Sequence, residues 1–292
     1  MSNGIAVHNK KMKQEKGRKA FYNGIKMTIL SLFAVIQIFP LVWLVNFSFA
    51  TNQEIFASAT PLIIPETWMV DNYVRAFVQG NFLLFFRNSL IVNFLAVVFV
   101  LFISILSAYA CTRMRFKLSG LVLTLMILGM MIPIHATLLP NFVIYTRLGI
   151  MDTLWSLLIP YVAFSLPMGV FLTCGFMNTI PLEMEEAAVI DGCGIFRLIP
   201  TIVMPMLKPV IMTVAIMTYL TNWNEFIMTM TFLRTDTWRT LPFSVLQFVG
   251  LYGAEFGPQF AVMTLGALPA VVIFLLLSKQ ITKGIALGSV KG

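Results

Sequence analysis

The sequence predicts an all-α membrane protein with six transmembrane helices and both termini cytoplasmic. Three observations carry that reading. Of the 292 residues, 59% are hydrophobic and only 11% are charged, against roughly 25% charged in an ordinary soluble domain. The mean hydropathy of +0.88 is too high for a single soluble core. Six long stretches are almost free of charge, and the segments between them alternate between rich and poor in Lys and Arg. A soluble enzyme, a disordered chain and a secreted disulfide scaffold are thereby disfavoured.

The gaps between charges mark the spans. Residues 27–53, 88–112, 118–146, 153–182 and 256–278 contain no Asp, Glu, Lys or Arg, and 209–233 contains only Glu225. Each exceeds the roughly 20 residues a helix needs to cross hydrocarbon. In lipid the backbone must satisfy its own polar groups, which leaves helices or a closed barrel, and no ten-residue alternation supports a barrel. The first run follows a basic tail, residues 1–26, that carries Lys10, Lys11, Lys13, Lys16, Arg18 and Lys19. It is longer than a signal-peptide core and lacks a small-residue cleavage pattern at its end, so it is expected to stay as an anchor. In the third run, Pro133 and Pro140 each remove a backbone hydrogen bond and predict a kinked or broken helix. His135, between them, reads as a neutral histidine bonded to a neighbour.

Charge sets the orientation. With the amino terminus inside, fifteen Lys and Arg fall on the cytoplasmic side and five outside (Arg75, Arg87, Arg147, Arg234, Arg239), the asymmetry expected of a chain oriented by its basic flanks. The net charge of +8 is therefore topological and does not point to nucleic acid. The outer segments 54–87 and 234–255 hold Trp68, Tyr73, Phe77, Trp238 and Tyr252, read as interface anchors or a docking surface. The uncharged stretch 240–254 is too short to span. Cys111, Cys174 and Cys193 are too scattered for a metal site or a disulfide framework, and no metal is expected.

One loop departs from the charge pattern. Between the fourth and fifth spans, within 178–208, Glu183, Glu185, Glu186 and Asp191 place four acids on the basic side. Pro181 suits a first helical turn, the acids suit the positive end of a helix dipole, and Gly192 with Gly194 ends the run, which predicts about three turns of helix. Ala187, Ala188 and Gly192 would permit close approach to a groove on another protein, where Glu186 would meet an arginine. Anionic lipid would repel this much acid, so a protein partner is favoured over the membrane surface.

These residues resemble a known family. Glu186-Ala187-Ala188, then Gly192, Ile202 and Pro205, are similar to the EAA signature of permease subunits of binding-protein-dependent ABC importers, with Met204 where that family has Leu. Asn72-Tyr73 with Phe77, Asn88-Ser89, Ala108-Tyr109-Ala110, Ile132-Pro133, Trp223-Asn224-Glu225-Phe226 and the end Gly288-Ser289-Val290-Lys291-Gly292 extend the likeness to carbohydrate-uptake permeases related to the second permease of the maltose system. Residues 1–24 lie outside it. The resemblance implies an ABC importer type I permease fold over 27–283, a short cytoplasmic tail at 284–292, and residence in a bacterial cytoplasmic membrane. It implies a second, different permease, two cytoplasmic ATPase subunits and an external sugar-binding protein as partners. The EAA helix would be the coupling helix: Glu186 supplies the charge pair, Ala187, Ala188 and Gly192 the fit, and Pro205 the return into the fifth span, with Glu183, Asp191 and Ile202 in the same loop. ATP and Mg would belong to the partner ATPases, since the chain contains no Gly-x-x-x-x-Gly-Lys-Ser/Thr loop.

Glu225, the single acid inside a predicted span, is a functional candidate because an ionisable group in lipid is costly. Asn222, Trp223 and Asn224 beside it could offer hydrogen bonds and a stacking face to a sugar, or else bind a neighbouring helix. Asn93, Asn141, Tyr145 and Tyr161 are further candidates for a substrate path. A mono- or oligosaccharide is the expected solute. Glycerol phosphate is the alternative, disfavoured because the spans carry no cation to meet a phosphate, and a proton-coupled secondary transporter working through Glu225 is a more distant one.

Overall fold

The computed structural model describes residues 2–57, 64–114, 116–251 and 253–289, with side chains described from Phe21 to Leu276. Tyr252, Val290, Lys291 and Gly292, named above, and Arg115, one of the basic residues counted on the cytoplasmic side, lie outside the described residues, as do the side chains of the basic tail from Lys10 to Arg18. Helix α1 (Ser2–Phe47) runs without interruption through residue 26. The short α2 (Asn52–Ala57) and α3 (Asp71–Val78) precede the long α4 (Phe82–Arg113). After α5 (Ser119–Gly129), a 3-10 turn (Ile134–Thr137) leads into α6 (Leu138–Leu148), and α7 (Leu154–Met177) follows. Then come α8 (Glu183–Ile190), α9 (Ile195–Leu198), a π turn (Ile199–Val203) and α10 (Met204–Met206). The chain closes with α11 (Lys208–Trp223), α12 (Ile227–Phe232), a 3-10 helix (Leu241–Phe248), the hairpin of β1 (Val249–Gly250) and β2 (Gly253–Ala254), and α13 (Phe256–Ser289).

Four to six of these helices are candidates to cross a membrane. Phe21–Phe47 of α1, all of α4 and α7, and Phe256–Leu276 of α13 qualify alone. Two more qualify only as bent pairs: Ser119–Gly129 with Ile134–Leu148 at 94°, and Ile195–Met206 with Lys208–Trp223 at 80°. The first bend bears out the broken third run, and it falls at Pro133, which precedes the 3-10 turn. Pro140 lies in the first turn of α6, where a proline costs no helix bond. His135 is exposed on the turn and makes no side-chain hydrogen bond among the described residues. The fifth run differs from the expectation of one helix over 209–233, because α11 stops at Trp223 and α12 starts three residues after Asn224.

In lipid the hydrophobic effect does not drive helices together, so close packing of small residues decides which faces meet. Helix α4 packs along α7, and α11 packs against α4, α7 and α13. At the centre sits Gly169 of α7: a Cβ there would stand 2.4 Å from Ser104 Oγ on α4 and 3.3 Å from Val214 Cγ1 on α11. Only glycine lets the three helices approach this closely. Helix α1 is different. None of its most apolar window is buried, and its contact with α13 is made through Trp43 and Phe47 against Phe260, with ring centroids 5.6 and 5.4 Å apart.

The loops opposite α8 are fastened by side chains that bond to backbone. Asn88 Nδ2 donates to the carbonyls of Thr237 and Arg239, both at 3.0 Å, and Ser89 Oγ accepts the Leu241 amide at 2.7 Å. Asn72 Nδ2 donates to the carbonyls of Ser48 and Ala50, both at 3.0 Å. The Tyr73 hydroxyl shares a hydrogen bond with Ser48 at 2.6 Å. Trp68 is mostly exposed with φ +39, Phe77 packs edge-on against Phe82, and Trp238 packs on the cluster around Tyr145.

Candidate functional site

Helix α8 is built from a stop, a start and a second stop. Helix α7 ends at Met177, and the Thr179 and Ile180 amides turn back to Phe176 O (2.9 Å) and Met177 O (3.1 Å). Pro181 lies before the new helix and not in its first turn, and α8 spans eight residues, about two turns where three were expected. The Glu185 and Glu186 amides both bond to Leu182 O, and Glu183, Glu185 and Glu186 sit at the positive end of the dipole. At the far end the Cys193 amide bonds to Ala188 O and the Gly192 amide to Val189 O, both at 2.9 Å. That paired closure needs a left-handed residue, and Gly192 supplies it at φ +83. A Cβ on Gly192 would meet nothing within 4 Å, so conformation and not space demands glycine.

The helix has two faces. Glu185 and Ala188, three apart, point inward: Glu185 is buried and Ala188 packs on the core cluster of α4, α7 and α11. Glu183, Glu186, Ala187 and Asp191 are exposed, as are Ile190 (85%) and Phe196 (94%). Ala188 therefore serves this chain's own packing. Ile202 is half-buried in the same cluster. Pro205 is exposed in α10, and the chain turns at Leu207, with Pro209 in the first turn of α11.

Glu185 meets the end of α4. Arg113 Nε donates to Glu185 Oε1 at 2.8 Å, with both side chains less than a tenth exposed. Arg113 Nη2 donates to the carbonyls of Met177 and Ile180, each at 2.9 Å. From the sequence Glu185 reads only as a helix-dipole acid, and Arg113 only as one of the fifteen basic residues counted on the cytoplasmic side. The available signal was the presence of four acids on a basic side, each in need of a cation.

A second feature forms where α11 breaks. Glu225 caps α12: its Oε1 accepts the Met228 amide at 2.7 Å, and its Oε2 accepts the Tyr161 hydroxyl of α7 at 3.0 Å. Tyr161, Asn222 and Glu225 line one cavity of about 190 Å³ with Ser165, Thr218 and Thr221. Asn222 Nδ2 is buried without a hydrogen-bond partner among the described residues. Trp223 turns the other way, donating from Nε1 to Gly266 O of α13 at 3.0 Å and stacking on Tyr219. Asn224 is exposed, bonds to Leu220 O at 2.8 Å, and lines a mostly apolar depression of about 480 Å³ with Trp223 and Phe226.

The remaining candidates do not join Glu225. Asn93 is buried on α4, with Nδ2 on Ser89 O at 3.0 Å and Oδ1 unpaired. Asn141 Nδ2 donates to Thr137 Oγ1 at 3.2 Å, and Tyr145 packs edge-on against Phe232 at 5.2 Å. The cavity thus gathers hydroxyl, carboxamide and carboxylate groups, a set that can give and take hydrogen bonds with a neutral hydroxylated solute.

The chain and its fold have known counterparts. Residues 100–278 match the family described as binding-protein-dependent transport system inner membrane component. A protein of Caldicellulosiruptor sp. (strain Rt8B.4) named as an ABC transporter permease is 38% identical over 90% of this chain and 95% of its own length. The galactooligosaccharides transport system permease protein of Bacillus subtilis is 31% identical, over 90% of this chain and 94% of its own. The trehalose/maltose transport system permease protein of Thermococcus litoralis is 30% identical, over 89% and 94%. A crystal structure of a bacterial ABC transporter that imports alginate shares the fold, with a TM-score of 0.74 and 19% identity over 89% of this chain and 96% of that one. The chain belongs to the family of inner membrane components of binding-protein-dependent transport systems, and it is a multi-pass membrane permease subunit of an ABC transporter.

Proposed function

We propose that this permease imports a mono- or oligosaccharide into a bacterial cell, crossing the cytoplasmic membrane six times over residues 27–283 with both termini in the cytoplasm. The two bent pairs count as the third and fifth spans, and the charge asymmetry sets the orientation. Helix α8 is then the coupling helix on a cytoplasmic ATPase. One observation carries this role: α8 is anchored inward through Glu185 and Ala188 while Glu186, Ala187, Ile190 and Phe196 stand uncovered. An exposed acid ringed by apolar side chains suits a groove that offers an arginine.

The sugar reading is supported by the relatives that carry sugars and by the cavity at Glu225, which is lined by a carboxyl group and no Lys or Arg to meet a phosphate ester. About 190 Å³ is less than the roughly 300–1,000 Å³ of ordinary ligand pockets. This chain then supplies part of a path that a second permease completes, and the uncovered length of α1 suits such a partner. Tyr161, Asn222 and Glu225 form its polar wall, with Trp223, Asn224, Asn93, Asn141 and Tyr145 in support. ATP and Mg reside on two separate ATPase subunits, and an external binding protein delivers the sugar.

The test is to purify the tagged chain from its native membrane in mild detergent and identify its companions by mass spectrometry. An ATPase and a second permease are the expected recovery. Recovery of the chain alone, even after crosslinking, sinks the assembly. In the reconstituted complex, Glu186→Lys is expected to abolish ATP-driven uptake while the chain still inserts. Normal uptake by a well-expressed variant removes the coupling role from α8.

A further inference from the structure

We propose that the buried Arg113–Glu185 pair is a latch that makes α8, the end of α4 and the end of α7 move as one body, with Arg113 as the positioning residue for force transmission. The proposal rests on the coupling-helix reading of α8. A helix pushed by an ATPase transmits that push only if it cannot swivel on its connections. Residues 178–182 between α7 and α8 are the natural swivel, five residues with no helix of their own. The Arg113 guanidinium closes it off from a third element: Nη2 bonds to Met177 O before the connection and Ile180 O within it, while Nε bonds to Glu185 beyond it. Tyr109, one turn earlier on α4, faces the same carboxylate.

The chemistry suits a rigid joint. A planar guanidinium fixes direction as well as distance, which an ammonium does not, and burial shields the pair from the screening that makes surface ion pairs weak. The acids of α8 divide accordingly, with Glu185 turned to the spans and Glu183 and Glu186 left outside. Such a joint carries coupling because both sites then bias one element with two arrangements.

The test uses the whole importer, purified with its ATPase subunits. Cys111, Cys174 and Cys193 are replaced by alanine, and nitroxides are placed at Met114 and Val189, both exposed. Pulsed electron resonance then measures their separation without nucleotide and with ATP, Mg and vanadate. With the native pair, one narrow distance is expected in both states. In Arg113→Gln the distance should shift or split with nucleotide by more than the about 1–2 Å of ordinary helix shifts. Arg113→Lys should restore part of the constancy. A merely structural pair would instead give a broadening that ignores nucleotide.

If Arg113→Gln does not assemble, Glu185→Gln keeps the acceptor and removes the charge, and the same result is expected. A nucleotide-dependent distance with the native pair, or an unchanged narrow one in Arg113→Gln and Glu185→Gln, overturns the latch. A label at Ala187 separates the two readings, since it should be immobilised when the ATPase binds. If it is not, the coupling-helix reading fails first. If it is, while the variants keep the native distance, the latch alone fails.

Discussion

The loop that carries α8 and the break between α11 and α12 each withdraw a carboxylate from solvent, but they give it different company. Glu185 lies against the Arg113 guanidinium, charge on charge, with both side chains buried. Among the described residues Glu225 receives neutral donors, the Tyr161 hydroxyl and the Met228 amide foremost, and it borders a cavity beside Asn222 Nδ2, which has no partner there. A carboxylate paired with a fixed cation serves the joint it closes. One held by hydroxyl and amide keeps acceptor capacity for something that enters and leaves. The company the carboxylate keeps, more than the presence of an acid, separates the two regions.

The largest effect should come from breaking the paired acid. Glu185→Leu leaves the Arg113 guanidinium buried with no counter-charge and should cost about 3 kcal/mol, read as a lower unfolding midpoint and a loss of monodisperse complex. A fully stable Glu185→Leu complex would show that the pair is not part of the frame. Glu225→Gln should cost far less, about 1 kcal/mol or below, because the carboxamide oxygen can still accept the Met228 amide. Its expected signature is a severalfold fall in transport with assembly intact. Loss of the complex itself would erase the contrast and make Glu225 another structural acid.

The frame was more legible than the site. Apolar runs far longer than a soluble core allows marked the long helices, and Pro133 marked the bend that follows α5 because a missing amide is a local property. The polar run Asn222-Trp223-Asn224-Glu225 marks the place but not the break itself, because Glu225, which accepts the Met228 amide, is held in position partly by Tyr161, 64 residues away. Arg113 was hidden for the same reason: its partners are 64 to 72 positions distant. The inward face of α8 could have been read from the three-residue spacing of Glu185 and Ala188, because one face of so short a helix must meet the body that holds it. Asn72, Asn88 and Ser89 stood out as a pattern, but their work as fasteners of distant backbone needs the fold.

The smallest effect sharpens the comparison outside the membrane. Asp152, between α6 and α7, is held as Glu225 is, by neutral donors: its Oδ1 accepts the amides of Arg234 and Thr235, both at 3.0 Å. Burial alone would raise its pKa, but the amide and hydroxyl of Thr235, the Arg234 amide and the field of Arg239 outweigh it and lower the pKa below the usual 3.8. A depressed folded pKa means that the folded state binds fewer protons than the unfolded one. Its stabilisation is therefore complete above the unfolded value and is lost as pH falls through the folded one. Asp152→Asn tolerates the same left-handed backbone, φ +62, so it removes the charge without adding strain. The melting temperature of Asp152→Asn should lie slightly below that of the native chain near neutral pH, and the two should converge only as pH falls below the usual 3.8 and through the depressed folded pKa. A gap that stays constant across that range would mean that the donors hold Asp152 by geometry alone. Neutral partners would then tell nothing about the charge of Glu225.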